Sequence, residues 1–277
     1  MIRGTTELVA HIGYPTATFK SPMIYNPYFE QAGIDAVVVP MSCEAERYPA
    51  FLKSIFTLTN IRGAIITMPH KVGTVGLLDE ATTAVKIAGS CNAVRRAPDG
   101  RLQGDLFDGE GFVRGVRRKG CRLEGARALV VGCGGVGSAI AAALAAAGVG
   151  ALTLFDCRPD SARSLAQRLA AHYPTVEVKS GSKDPAGHDL VVNATPLGMN
   201  AGDPLPMDVE RISSETFVGE VVLKEEMTPF LEAVRRRGCR YQVGTDMLFE
   251  QIPAYLEFFG FPATTPEALR SLARITY

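Results

Sequence analysis

The sequence predicts an α/β protein of two lobes, and three observations predict it. Apolar runs of strand length alternate with helical stretches from end to end. Residues 127–156 read RALVVGCGGVGSAIAAALAAAGVGALTLFD: a strand, a glycine-rich turn, an alanine-rich helix and a second strand closing on Asp156. Strand-like runs on both sides of that stretch are numerous enough for two sheets. The division places one unit over 1–108 and a second over 109–244, with the helices of 245–277 returning to the first.

Each element has a local reason. Residues 7–12 form a first strand, and Gly13, Tyr14 and Pro15 turn the chain. Ser21 stands as a helix cap with Pro22 at the first helical position, and the helix runs through 31 to stop at Gly33. A strand at 36–39, a helix at roughly 43–58 and a strand at 63–67 follow. Pro69 breaks the pattern in MPHKV, disfavouring helix at Met68. A polar helix is expected over 79–88, ending at Gly89. Residues 92–94 and 102–105 bracket Pro98-Asp99-Gly100 as a hairpin. A helix over 109–119 leads to the strand at 128–131, the helix at 138–147 and the strand at 151–155. Further on, 161–172 is helical, 176–178, 189–193 and 217–223 are extended, and Thr228-Pro229 opens a helix to 237. Residues 240–243 are extended, and 244–259 and 267–274 are helical.

The glycine-rich turn carries chemistry. Gly132, Gly134 and Gly137 spell G-x-G-x-x-G, with Gly135 and Val136 between them, in a strand–turn–helix context. The first glycine permits the sharp turn, the second lets backbone approach a pyrophosphate, and the third lets helix pack on strand. Free amides and the helix dipole suit a phosphate. This is the Rossmann fingerprint, and it implies a dinucleotide. Asp156, at the tip of the next strand, would accept from both ribose hydroxyls and repel a 2′-phosphate, which favours NAD. Arg158 works the other way, so NADP is the weaker alternative.

Composition excludes several classes. In 277 residues, 29 Lys and Arg balance 29 Asp and Glu, so no basic excess points to nucleic acid or a membrane surface. The six cysteines show no C-x-x-C and no zinc spacing, so no metal is expected. The N-terminal stretch lacks an apolar signal core, and the alanine helix is too short to span a bilayer. A cytoplasmic, reducing setting is expected, with a small-molecule substrate and a monomer or homodimer.

Six stretches, in order around the fingerprint, resemble the shikimate dehydrogenase family: PTATFKSPMIYN at 15–26, GAIITMPHK at 63–71, GSCNA at 89–93, GDLFDGEGF at 104–112, NATPLGM at 193–199 and GTDMLFEQ at 244–251. The resemblance covers nearly the whole chain. It implies a substrate lobe and a Rossmann NAD-binding lobe, with reversible hydride transfer between nicotinamide and a ring alcohol or ketone of a shikimate- or quinate-like acid. It implies that Lys71 and Asp108 form the catalytic acid–base pair. Such a reaction needs one, because hydride leaves a carbinol carbon only as the hydroxyl proton departs. By position, Ser21 matches a carboxylate grip, Thr67 and Asn92 match substrate hydroxyl contacts, and Gln251 matches a substrate amide contact. Thr195, Pro196, Leu197 and Met199 would line the nicotinamide, and Gly244 and Met247 would complete that wall. His70 is read as structural.

The chain also departs from the family. The first serine of the grip aligns with Phe19, the asparagine and threonine of N-T-D-G with Leu106 and Phe107, and a downstream tyrosine with Leu223. Each change removes a polar group expected to face substrate, with Lys224 or Tyr25 as candidates to compensate. The expectation is a divergent member whose pocket is more apolar away from the reacting carbon. Two other readings compete. One is an NAD-binding regulatory relative without turnover, which would need neither Lys71 nor Asp108. The other is a two-lobe dehydrogenase of folate or amino-acid-derived substrates, which the order of the motifs disfavours.

Overall fold

The structure is a computed structural model, and it describes residues 2–17 and 19–275. Thr18, inside the stretch of resemblance at 15–26, lies outside the described residues. The chain divides into two compact units, Met1–Phe107 with Ile252–Tyr277, and Asp108–Gln251.

The first unit holds a mixed six-stranded sheet. Its elements are β1 (Glu7–Gly13), α1 (Pro22–Gln31), β2 (Ala36–Ser42), α2 (Tyr48–Ile55), β3 (Ile61–Ile66), α3 (Lys71–Thr74), β4 (Glu80–Ala81), α4 (Thr83–Ala88), β5 (Ala93–Arg96) and β6 (Leu102–Asp105). The strand order is β2-β1-β3-β5-β6-β4. β1 pairs in parallel with β2 and β3, and the hairpin β5–β6 turns antiparallel against β3. Ile12, Ile24, Tyr25, Phe29, Leu52 and Ile66 fill the core.

The second unit opens on α5 (Asp108–Arg118) and continues β7 (Arg127–Val131), α6 (Gly135–Ala146), β8 (Ala151–Phe155), α7 (Pro159–His172), β9 (Glu177–Ser180), β10 (Leu190–Asn193), β11 (Phe217–Glu220), α8 (Pro229–Arg236) and β12 (Tyr241–Gln242). All six strands are parallel, in the order β12-β11-β10-β7-β8-β9. Read from β9, this is the doubly wound order of a dinucleotide-binding fold. Both faces are covered, so β7 and β10 are apolar throughout apart from Arg127 and Asn193 at their ends. α9 (Gly244–Phe259) and α10 (Pro266–Leu272) complete the chain, and the division between the units falls inside α9.

Local chemistry moved several boundaries from their expected places. The helix expected over 79–88 is instead β4 followed by α4. Glu80 and Ala81 pair in parallel with Gln103 and Gly104, and Asp79 accepts from the Leu102 amide (2.7 Å), so only from Thr82 onward can the chain turn helical. The helix expected from 43 starts at Tyr48, where Pro49 fits a first turn. α6 starts at Gly135, three residues before the expected 138. Gly135, Val136 and Gly137 therefore belong to its first turn.

Candidate active site

In the first unit, strand pairing gathers chain ends at one edge of the sheet. Ile12 lies opposite Ile66, Ile65 opposite Ala93, and Ala93 opposite Asp105. The carboxyl ends of β1, β3 and β6 and the amino end of β5 therefore meet there. In open α/β sheets this is where ligands bind.

Backbone bonds then fix the expected residues. Thr67 N donates to Ile12 O (3.0 Å), and His70 N donates to Thr67 O (2.9 Å). Lys71 opens α3, and its carbonyl accepts from Cys91 N (2.9 Å). Asn92 is the best anchored of the set. Its amide donates to Asp105 O (3.0 Å), its carbonyl accepts from Ile66 N (2.8 Å), and its Oδ1 accepts from Phe107 N (2.9 Å). Its Nδ2 is buried and has no hydrogen-bond partner among the described residues. Such a donor costs about 1–3 kcal/mol to leave unmade, so it suits a ligand oxygen. Ser21 stands before α1 with helical dihedrals and makes no side-chain capping bond. His70 stacks on Tyr48 (4.0 Å, 8°) and bonds Cys43 O through Nε2 (2.8 Å), a framework role.

One residue here escaped the sequence reading. His11, in β1, is buried, stacks on Phe19 (3.9 Å, 23°), and leaves Nδ1 without a partner among the described residues. Burial, and next the charge of Lys71, push its pKa down to about 3, so the ring is neutral near pH 7. The signal was available: VAHIG sets a polar side chain in an otherwise apolar buried strand.

The second unit carries the nucleotide features. Gly132 has φ +101°, and a Cβ there would stand 2.6 Å from Ala194 O. A Cβ on Gly137 would run into Gly132 O, so only glycine lets α6 start so near β7. At Gly134, by contrast, an added Cβ meets nothing within 4 Å. The start of α6 has no side-chain cap and the space beside Gly134 is open, which fits the approach of a pyrophosphate. Asp156 Oδ2 accepts from Cys133 N (2.8 Å) and Oδ1 from Arg158 N (2.9 Å), tying the strand tip to the glycine-rich turn. Burial raises its pKa, but the Arg158 and Cys133 amides and the Arg158 guanidinium outweigh this and hold it below the usual range. Arg158 is exposed, with Nε 3.7 Å from Asp156 Oδ1.

Asp108 is the buried first residue of α5, and the residue before it is the Phe107 held by Asn92. Gln251 lies in α9 with Oε1 buried and unpartnered among the described residues. Thr195, Pro196, Leu197 and Met199 form the loop after β10, with Pro196 and Met199 exposed. Gly244 opens α9 against the Val222 carbonyl, and Met247 is buried. Among the described residues no group of acidic, histidine and cysteine side chains could hold a metal ion, and no helix is long and apolar enough to cross a membrane.

Comparison with known proteins follows the same division. Residues 11–94 match the shikimate dehydrogenase substrate binding domain, and 114–158 match the ThiF family. The NADP(+) shikimate dehydrogenase of Rubrobacter xylanophilus is 38% identical, over 90% of this chain and 89% of that protein. The chain belongs to the shikimate dehydrogenase family. Shikimate 5-dehydrogenase from Listeria monocytogenes, solved with shikimate and NAD, superposes with a TM-score of 0.91 at 25% identity, covering 98% of this chain and 97% of that one. Quinate dehydrogenase from Corynebacterium glutamicum, solved with NAD, gives 0.85 at 27%, covering 96% and 98%.

As a member of the shikimate dehydrogenase family the chain is an oxidoreductase, and its departures from the family pattern can be sorted by geometry. Phe19 lies beside one of the expected site residues: a Cβ on Gly13 would meet both Thr67 Cγ2 (2.5 Å) and Phe19 Cζ (2.7 Å), so the ring tip is next to Thr67. Phe107 does not fit the expectation of a lost substrate contact. Its ring packs edge-on against Tyr255 (4.9 Å) and Phe258 (5.5 Å), in the aromatic core of its unit. Leu106 is likewise buried. Leu223 is exposed, and Lys224 donates to Met199 O (2.8 Å). Tyr25 is core, tilted against Phe29 (6.1 Å).

Proposed function

We propose that this protein transfers hydride between NAD and the ring hydroxyl or ketone of a shikimate- or quinate-like cyclic hydroxy acid, with Lys71 and Asp108 as the acid–base pair. The bound nicotinamide would supply or accept the hydride. The protein's own residues manage the proton and the orientation. Lys71 would take the hydroxyl proton during oxidation and return it during reduction, with the Asp108 carboxylate orienting the amine. Asn92 Nδ2 and Thr67 would hold ring hydroxyls, Ser21 the carboxylate and Gln251 Oε1 a further hydroxyl. Thr195, Pro196, Leu197, Met199, Gly244 and Met247 would border the nicotinamide.

The observation that carries this reading is the gathering of Thr67, Lys71 and Asn92 at one sheet edge, with a buried donor on Asn92 that no described residue uses. The anchoring of Phe107 to Asn92 supports the role of Asp108, the next residue along the chain.

Asp156 supports NAD over NADP, because an amide-bound carboxylate at the strand tip repels a 2′-phosphate. The name of the Rubrobacter relative favours NADP, and the exposed Arg158 is the residue that would hold its extra phosphate. The proposal is NAD as the better cofactor, with NADP also accepted. Beside Thr67, the Phe19 ring replaces a hydroxyl, so binding of a ring carboxylate would be weaker than in a housekeeping enzyme.

The test is a panel of shikimate, quinate and other ring hydroxy acids with NAD and NADP, read by absorbance of the reduced nicotinamide. NAD-preferring turnover of a ring hydroxy acid, with a high KM for shikimate, is expected. Dinucleotide binding without turnover of any of them would replace the enzyme reading with the regulatory one. Efficient shikimate oxidation would remove the altered-pocket part alone.

A further inference from the structure

A second residue that the sequence reading passed over is Glu220, in VGEVVL. It ends β11, fully buried, opposite Asn193 at the end of β10. Its carboxylate accepts from four donors, none of them charged. Asn193 Nδ2 reaches both oxygens (3.0 and 3.1 Å), the Val221 and Val222 amides donate to Oε1 (2.8 and 3.1 Å), and Thr228 Oγ1 donates to Oε2 (3.1 Å). A carboxylate buried this completely is costly unless its oxygens are satisfied, and these donors satisfy them.

The consequence lies one bond further on. Burial pushes the Glu220 pKa up, and the Asn193, Val222, Val221 and Thr228 donors work against that rise. Donors engage both oxygens, so the carboxyl group is held as an acceptor and Asn193 turns its NH2 toward it. Its Oδ1 is thereby aimed the other way. There it accepts from Thr195 N (3.1 Å) and Thr195 Oγ1 (2.6 Å). Thr195 Oγ1 in turn accepts from Leu197 N (3.1 Å), and Asn193 Nδ2 also donates to Leu197 O (3.0 Å). The loop 194–199 thus takes its shape from an amide whose orientation one buried carboxyl group decides.

We propose that Glu220 is a positioning residue for hydride transfer, acting through Asn193 to hold Thr195 and Leu197 where the nicotinamide ring is to be met. The inference rests on the reading of 194–199 as the nicotinamide wall. Most dinucleotide affinity would come from the glycine-rich turn and Asp156, so misplacing this loop should affect the chemical step more than cofactor capture.

Glu220→Gln puts an NH2 where an acceptor stood. Either two NH2 groups then face each other, or Asn193 flips and releases Thr195. The expected result is a kcat at least tenfold lower with the dinucleotide KM within threefold. Hydrogen exchange of the 194–199 amides should rise while β7 and β8 keep their protection. Thr216→Val is the control: it removes the bond from the buried Thr216 Oγ1 to His188 O (2.8 Å) at the opposite end of β11, so it should lower Tm and leave kcat within twofold. If Glu220→Gln does not fold, Glu220→Asp keeps the carboxyl group but shortens its reach to Asn193, and the same split is expected. Unchanged exchange at 194–199, kcat within twofold of the parent, or exchange raised uniformly through 108–251 would overturn the proposal. A parent protein without turnover would refute the proposed function instead, and exchange at 194–199 would then decide the role of Glu220 on its own.

Discussion

Replacing Phe19 with serine tests the altered pocket directly, and two opposing effects can be sized. The ring stacks on His11 at 3.9 Å and touches the Gly13–Thr67 corner. Losing an aromatic stack costs about 0.5–1.5 kcal/mol beyond the area it buries. A fully buried Phe truncation costs about 3–5 kcal/mol, and Phe19 is only half-buried, so a loss of about 2 kcal/mol is expected. Against this, a hydroxyl returned beside a ring carboxylate gains a charge-assisted hydrogen bond of about 1.5–3 kcal/mol. At about 1.4 kcal/mol per tenfold, that is a rise of roughly 10- to 100-fold in kcat/KM for shikimate. Phe19→Leu separates the two effects, since it loses the stack and adds no hydroxyl. Steady-state kinetics and urea unfolding on both variants provide the readings. If Phe19→Ser folds and its kcat/KM for shikimate stays within twofold of the parent, the ring does not occupy the carboxylate's place and the argument fails.

Three further outcomes are expected. Lys71→Ala should lower kcat by about 10²–10⁴, the range of a lost general acid–base group, with dinucleotide affinity by titration nearly unchanged; near-parental kcat would take Lys71 out of the mechanism. Asp156→Asn should raise the KM for NAD about tenfold, near the ~1.4 kcal/mol of one lost charge-assisted bond, and narrow the gap to NADP; a parent that already prefers NADP would give that role to Arg158. His11→Phe should flatten the acid side of the stability curve. The folded pKa of about 3 lies below the ordinary 6.5, so the unfolded chain takes up the proton first. The stability this provides is complete above pH 6.5 and is lost as pH falls toward 3, by about 1.4 kcal/mol per pH unit. Urea unfolding at pH 7 and 5.5 should show that loss in the parent and not in the variant.

What the sequence made legible was periodicity and punctuation. The parallel strands of the second unit read directly as apolar runs, because both faces of that sheet are covered. Thr228 and Pro229 marked α8 because cap chemistry is local, and Thr228 does accept from Leu231 N. β4 was missed because two residues pair only through partners over twenty positions away, and no local pattern encodes that. His11 and Glu220 were missed for a related reason. A lone polar letter in an apolar strand signals something, but its role depends on what stands across the sheet. For His11 that is the Phe19 ring, and for Glu220 it is Asn193 on the neighbouring strand.

The departures from the family divide by whether a position acts through its backbone or through its side chain. Phe107 and Leu106 stand where the family has polar residues, but what Asn92 uses at 107 is the amide, and that bond is intact at 2.9 Å. Any residue with an N–H could supply it, so the ring was free to join the core beside Tyr255 and Phe258. The segment leading into Asp108 can therefore keep its path while its side chains change. A family serine acts through its hydroxyl, which no backbone group replaces, and Phe19 substitutes for it with a ring that needed a new partner, the neutral His11. On the proposed function, change of this kind would leave the proton-transfer apparatus alone and alter what the far end of the substrate must look like. A chain drifting out of function would have no reason to confine its side-chain losses in this way, and on that ground the altered-substrate reading is preferred to the regulatory one.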